Sequence, residues 1–167
     1  MENTDKRGYR PCVRVIVIKD DKILLGKKII GGEFVGYEFP GGGIENHASH
    51  ENTVVRECLE ELGMLVTDVR PLHITFRYDV NYPNPERAKL YKGGIDHWYQ
   101  ATFIKTDNSV KGADGDVLPV TWEYPDDAAE IIKHGPKSKY SPSRLKAISL
   151  VSKYMKARDK HNKANSW

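Results

Sequence analysis

The stretch GGGIENHASHENTVVRECLEELGM, residues 41–64, places three glycines before a run of residues with the pattern of a helix. That run carries Glu57, Glu60 and Glu61. At about 100° per residue, these three carboxylates fall within one arc of about 100° on the helix surface. Like charges at this spacing repel each other, and a divalent cation with hard oxygen ligands removes the repulsion. The spacing therefore favours a Mg²⁺ site, to which the glycine turn at 41–43 is able to add a backbone carbonyl.

The helix itself is predicted over residues 51–62. Ser49 or His50 is the expected N-cap, and Gly63 is the expected stop at the C-terminal end. The side opposite the glutamates is apolar and is expected to face the core, through Val55, Cys58, Leu59 and Leu62.

The composition is that of an ordinary globular protein, with 39% hydrophobic and 29% charged residues among 167. A single domain over residues 1–167 is predicted, with flexible ends at 1–8 and 159–167. The longest aliphatic run is VIVI, far too short to cross a membrane. A polar N-terminus and two cysteines in apolar segments favour a cytoplasmic protein with reduced thiols.

The remaining chain alternates strand-like and helix-like segments. Residues 12–28 predict a β-hairpin, and a short strand is expected at Tyr37–Phe39. Further strands are predicted at 69–80, 95–104 and 117–124, followed by helices at 126–133 and 141–158, with a long loop expected at 81–94. This order predicts an α/β fold in which helices cover both faces of the sheet.

The glycine-rich stretch resembles the Nudix hydrolase signature, G-x5-E-x7-R-E-U-x-E-E-x-G-U, where U is a bulky apolar residue. The preceding YEFPGG is also similar to the approach to this signature in the family. The matching positions are Gly42, Arg56, Glu57, Glu60, Glu61, Gly63 and Met64.

The resemblance implies a Nudix-type α/β/α sandwich with a mixed β-sheet and a metal-dependent hydrolase of nucleoside diphosphates linked to another group. Its implied metal ligands are Glu57, Glu60, Glu61 and the carbonyl of Gly41, holding Mg²⁺ or alternatively Mn²⁺. Arg56 is implied to organise the site by pairing with Glu60 one helical turn away.

Two positions depart from the family pattern, and Ala48 is the more important. The pattern has a glutamate at position 48, which helps to orient Arg56 and the metal site. Loss of such an outer contact typically costs about 10–100-fold in affinity or activity. Glu45 and Glu51 are both candidates to replace it. The second departure, Cys58, is a small hydrophobe in place of a larger aliphatic residue.

The base that activates water is expected before the last strand, by resemblance to other family members. Asp116 is the preferred candidate there, with Asp114 and Glu123 as alternatives. The two aspartates would equally suit a turn without any catalytic role. His97 is a further candidate base, although a histidine next to Trp98 in a strand is more often structural.

The predicted substrate is a small nucleotide such as ADP-ribose or NADH. Hydrolysis of RNA 5′ ends or nucleoside triphosphates is the enzymatic alternative, and a nucleotide-binding module without turnover is a third. Aromatic residues in and around the long loop are able to stack a base, and the basic stretch 137–163 is able to bind RNA. These aromatic residues are Tyr78, Tyr82, Tyr91, Trp98 and Tyr99. The sequence leaves open whether the protein forms a homodimer.

Overall fold

A computed structural model describes residues 5–107, 109 and 118–166. The strands are β1 (Gly8–Lys19), β2 (Lys22–Ile30), β3 (Glu33–Glu38), β4 (Gly41–Gly43), β5 (Met64–Asp79), β6 (Tyr91–Thr106) and β7 (Val120–Glu123). The helices are α1 (His50–Leu62), α2 (Pro85–Leu90), α3 (Pro125–His134) and α4 (Ser141–Ala164). None of the helices in this described part combines the length and apolarity needed to span a membrane.

The described strands form one mixed sheet with β1 at its centre. The order is β3-β2-β1-β6-β5, with β4 paired to β1 and β7 paired to β2. β1 runs parallel to β6 and antiparallel to β2 and β4, so the predicted hairpin and the predicted mixed sheet are both present. Strands β1 and β2 pair only next to their connecting turn, at Ile18 opposite Ile23 and Lys19 opposite Lys22. The first half of β1 pairs instead with β4.

Two hydrophobic cores lie on opposite faces of this sheet, as alternation along β1 requires. Val13, Val15 and Val17 pack under α1, whereas Ile16 and Ile18 pack under α3 and α4. The predicted covering of both faces by helices is therefore confirmed.

Helix α1 begins and ends close to the predicted residues. The Ser49 side chain accepts a hydrogen bond from the Asn52 N–H, which identifies Ser49 as the cap. Gly63 adopts the left-handed conformation, with φ of 60°, that ends many helices. On the core side Cys58 and Leu62 are buried as expected, together with Val54, whereas the predicted core residues Val55 and Leu59 are half-buried.

Several boundaries differ from the sequence prediction. β5 and β6 pair along almost their whole length, from Met64 opposite Thr106 to Asp79 opposite Gly93, so both are longer than expected. The predicted loop between them contains α2. α4 continues to Ala164 because no Gly or Pro after Pro142 interrupts it, and residues 159–164 are helical where a flexible end was expected.

Candidate active site

The glycine strand β4 lets the acidic side of α1 approach the sheet very closely. Gly42 pairs with Val13 of β1, and the carboxylate of Glu57 lies directly against Gly42. A Cβ atom at Gly42 would collide with that carboxylate. Glycine is therefore required here by the close approach of Glu57, since the φ angle at Gly42 lies outside the left-handed region.

Two of the three glutamates are less exposed than the helix pattern suggested. Glu57 is only 8% exposed, which corrects the expectation that the acidic side of α1 faces away from the protein interior. Burial raises the pKa of Glu57, against the opposing effect of the Arg56 charge. The sequence pattern identifies the apolar side of the helix, but it does not show that a strand without side chains covers the acidic side.

Glu61 lies at the other end of the same glycine strand. Its Oε2 accepts a hydrogen bond of 3.0 Å from the Gly41 N–H. Burial raises the pKa of Glu61 to about 7, because a single backbone donor only partly offsets the loss of water. The expected contribution of the Gly41 carbonyl to a metal site stays a prediction.

Arg56 connects the other carboxylates. Its Nη2 donates to Glu57 Oε1 at 3.0 Å and to the Gly43 carbonyl at 3.2 Å. Its Nη1 lies 3.8 Å from Oε2 of Glu60, which is the ion pair expected from the helical spacing. Glu60 is more accessible than Glu57, with 46% of its side chain exposed against 11%.

In this arrangement the three glutamates do not converge on one point. Across 5–107, 109 and 118–166, no three His, Cys, Asp or Glu side chains are grouped closely enough to hold an ion together. The donor set nevertheless suits Mg²⁺, which prefers a few carboxylates completed by water and phosphate oxygens. The half-buried carboxylate of Glu61, with one backbone hydrogen bond, has oxygen lone pairs left for such an ion.

A polar cavity of about 110 Å³ lies beside the glycine strand, on the face covered by α4. Arg14 of β1 lines it and forms a 3.2 Å ion pair with Asp96 of β6. The charge of Arg14 also acts on the carboxyl groups of Glu57 and Glu61, so the cavity and the acidic side of α1 are electrostatically connected.

Further positively charged side chains line the cavity, one from α4 and one from β2. Arg144 and Lys28 line it, and neither forms an ion pair with any acid that the structure describes. Tyr78 and Tyr140 contribute two rings whose centroids lie 5.1 Å apart. The sequence pattern had indicated Tyr78, and Arg144 only as part of the basic stretch 137–163, but not Arg14, Lys28 or Asp96. Arg14 and Asp96 are charged residues within strands of mostly apolar residues, and this pattern indicates a site that the glycine–glutamate motif does not include.

The other predicted residues fall in several places. Asp116 and Asp114 lie outside the described residues, so the base stays a prediction. Glu123 belongs to β7 and pairs with Ile23 of β2. His97 packs edge-on against His50, with ring centroids 4.8 Å apart. Burial and the neighbouring His50 lower the pKa of His97.

The predicted aromatic cluster is divided between the two faces of the sheet. Trp98 is buried in the core under α3 and α4, at 3% exposure. Tyr99 lies on the other face, where its hydroxyl is 2.8 Å from Nδ1 of His50. Of the named aromatic residues, Tyr78 and Trp98 line the polar cavity, because alternation along β6 directs Tyr99 away from it.

Comparison with known proteins places this architecture in a family. Residues 8–144 match the NUDIX domain. The chain belongs to the NUDIX domain family. An RNA pyrophosphohydrolase of Saccharophagus degradans is 32% identical over 112 residues, which is 64% of this chain and 65% of that relative. The match thus spans slightly less than two thirds of the relative's length.

Solved structures agree on the fold. A NUDIX hydrolase from Nitrosomonas europaea has a TM-score of 0.62 at 16% identity, with 86% of this chain and 90% of that chain covered. A protein described as ADP compounds hydrolase has a TM-score of 0.64 at 19% identity, with 92% and 76% covered. The predicted family and the predicted fold class are therefore confirmed.

Proposed function

We propose that this NUDIX protein hydrolyses a phosphoanhydride bond of a nucleotide in a reaction that requires a divalent cation. The observation that carries the proposal is the position of strand β4. The buried carboxylate of Glu57 and the half-buried carboxylate of Glu61 lie against this strand, and the cavity with Arg14 and Arg144 lies beside it. Negative groups able to hold a cation thus adjoin positive groups able to hold phosphates.

Each group of the site has a distinct task in this proposal. Glu57, Glu60 and Glu61 would hold Mg²⁺ or Mn²⁺, with the Gly41 carbonyl as a further ligand. Such an ion, when bound, neutralises charge on the phosphates and helps to generate the attacking hydroxide. Arg56 keeps Glu57 and Glu60 oriented through its two contacts. Asp116 is retained as the proposed base.

For the substrate, we propose a nucleoside diphosphate linked to another group, such as ADP-ribose or NADH. The cavity, at about 110 Å³, is smaller than the roughly 300–1,000 Å³ typical of sites that enclose a whole ligand. It therefore suits one portion of the nucleotide, held by the basic side chains of the cavity and by the rings of Tyr78 and Tyr140. Free, buried Cys12 and Cys58 agree with a reducing compartment, and the cytoplasm is the proposed location.

Hydrolysis of RNA 5′ ends is the second candidate function. It is supported by the similarity to a protein described as an RNA pyrophosphohydrolase and by exposed lysines along α4. Because a nucleic acid loses affinity steeply as salt rises, the two candidates differ in their salt dependence.

The test is turnover of a substrate panel with Mg²⁺ or with EDTA. The panel contains ADP-ribose, NADH, a nucleoside triphosphate and a 5′-triphosphorylated RNA oligonucleotide. We expect phosphate-bond cleavage of at least one substrate that stops with EDTA and in the Glu57→Gln/Glu61→Gln double variant. Tight nucleotide binding without cleavage would instead identify a binding module and contradict the proposal.

A further inference from the structure

Position 48 lacks the carboxylate of the family pattern, and a different carboxylate reaches the same arginine. Oε2 of Glu45 lies 3.8 Å from Nη1 of Arg56. The other oxygen of Glu45, Oε1, lies 3.7 Å from Nη2 of Arg10. One carboxylate therefore bridges two guanidinium groups, one from β1 and one from α1.

The backbone explains how Glu45 reaches this place. The Ala48 N–H donates a 2.8 Å hydrogen bond to the Glu45 carbonyl, and the intervening Asn46 and His47 have φ angles of 47° and 59°. Positive φ at both central residues is a feature of type I′ turns, in which the first and fourth Cα atoms lie within about 7 Å. Glu45 and Ala48 consequently border the same open recess of about 260 Å³ beside Arg56.

Arg10 supports the bridge from the other side. Its side chain is 18% exposed, and its guanidinium lies over Gly43, where a Cβ atom would collide with it. The Gly43 carbonyl in turn accepts the hydrogen bond from Arg56. Glu45 thus offsets the repulsion between two arginines that both contact the same glycine.

We propose that Glu45 takes the place of the carboxylate missing at position 48 and orients Arg56, which holds Glu57 and Glu60. Its effect on catalysis rests on the proposed function, whereas its effect on Arg56 does not. Glu45 is a positioning residue, since the residues that would bind the cation lie beyond Arg56. An exposed ion pair contributes little to stability, so we expect the effect in cation affinity and turnover rather than in Tm.

Glu51 offers a matched control. It was the other candidate to replace the missing carboxylate, and it is an exposed acid in the first turn of α1 without an ion pair to any described residue. Glu45→Gln and Glu51→Gln therefore remove the same charge near the same helix, and only Glu45→Gln removes a contact with Arg56.

The experiment compares Glu45→Gln, Glu51→Gln, Ala48→Glu and the Glu45→Gln/Ala48→Glu double variant. Half-saturation by Mg²⁺ is measured from thermal shifts without substrate, and kcat is measured at saturating Mg²⁺. We expect Glu45→Gln to weaken Mg²⁺ binding, to lower kcat, or to do both, by about tenfold. This is the lower end of the effects seen when a residue that supports a metal ligand is lost. Glu51→Gln should stay within about twofold of wild type, as for a solvated surface charge. Ala48→Glu should restore Mg²⁺ binding and kcat in the Glu45→Gln protein, and it should change these two quantities little in wild type.

A third readout separates this inference from the proposed function. The Nε–Hε NMR signal of Arg56, recorded without metal, should shift in Glu45→Gln and stay in place in Glu51→Gln. An unshifted signal overturns the inference whatever the activity, as do equal effects of the two variants or no rescue by Ala48→Glu. Absence of hydrolysis by the wild type overturns the proposed function, and the Arg56 signal then still decides whether Glu45 orients Arg56.

Discussion

The backbone N–H of Gly41 donates a 3.0 Å hydrogen bond to Oε2 of Glu61. Gly41 is the first residue of β4, and Glu61 lies in the last turn of α1. The two ends of the segment that defines the site therefore meet in one contact. Because this single donor incompletely offsets burial, the pKa of Glu61 is raised to about 7. Without a metal ion, the ionised carboxylate of Glu61 is consequently destabilised by its partial loss of water. The same loss of water makes it a good ligand for a cation.

The first prediction concerns the metal-free protein. Below the ordinary pKa of 4.5, Glu61 is protonated in both states, whereas between 4.5 and about 7 the folded state binds the additional proton. The contribution of Glu61 to stability therefore falls as pH rises through that window. In EDTA, Glu61→Gln should raise Tm by ~2–4 °C at pH 8, for a gain of about 1 kcal/mol. The difference should disappear near pH 4.5, and an equal gain at both pH values would contradict the argument.

Magnesium should reverse the order of Tm between wild type and Glu61→Gln. A cation that binds only the folded state stabilises it by mass action, by about 1.4 kcal/mol at ten times its Kd. Millimolar Mg²⁺ should therefore raise the Tm of wild type at pH 8, and Glu61→Gln should respond much less. The measurement is a thermal melt across a Mg²⁺ titration, with Ca²⁺-free buffer and Glu51→Gln as the charge control. A flat wild-type response would count against a bound cation.

Glu60 should separate activity from stability. Its side chain is 46% exposed, and among the described residues its carboxylate forms an ion pair only with Arg56. Glu60→Gln should therefore leave Tm in EDTA within about 1 °C of wild type, since an exposed pair contributes little. It should still remove most turnover, as expected for a proposed metal ligand. Wild-type turnover in both Glu60→Gln and Glu61→Gln would exclude the proposed ligand set.

Local spacing was sufficient to predict α1, its cap and stop, and the grouping of Arg56 with Glu60. These features depend on residues within about one or two helical turns of each other. The burial of Glu57 could not be read from the same pattern, because it depends on β4 pairing with β1, which lies about thirty residues earlier. The bridge from Arg10 through Glu45 is non-local for the same reason.

The polar cavity around Arg14 and Asp96 could not be predicted from the sequence for a different reason. Arg14 and Asp96 belong to two strands that pair in parallel, and their ion pair exists only once those strands are in register. A sequence without known pairing shows only isolated charges in apolar strands. Such charges seldom lie in a protein interior without a partner, so they are useful indicators of a site.

Gly42→Ala tests the close approach of α1 to the sheet. The added Cβ would collide with the Glu57 carboxylate, although the backbone at Gly42 suits any residue. We expect weaker Mg²⁺ binding and strongly reduced turnover, because Glu57 must move. Gly8→Ala is the matched control, since Gly8 also lies in a strand and nothing lies within 4 Å of its added Cβ. Equal Mg²⁺ half-saturation in the two variants would contradict a role for the glycine strand.

The RNA candidate makes a prediction about α4. Lys146, Lys153 and Lys160 recur every seven residues, so they drift by only about 40° around the helix and share one exposed side. If this side contacts the backbone of an RNA substrate, replacing all three by Gln should weaken RNA binding. The slope of log K against log salt should also become less steep by about 2, since each single-strand phosphate contact contributes about 0.7. Turnover of ADP-ribose should be unchanged, because a small nucleotide does not reach along the helix.

The control removes the same charge from three exposed lysines elsewhere, namely Lys89, Lys105 and Lys133. Both triple variants lower the net charge equally, so a general electrostatic attraction would affect RNA turnover to the same extent in each. A specific contact along α4 requires a larger loss for the α4 variant, measured as kcat/KM on a 5′-triphosphorylated oligonucleotide at two salt concentrations. Equal losses would reduce α4 to a solvated basic surface, and its lysines would then no longer support the RNA candidate.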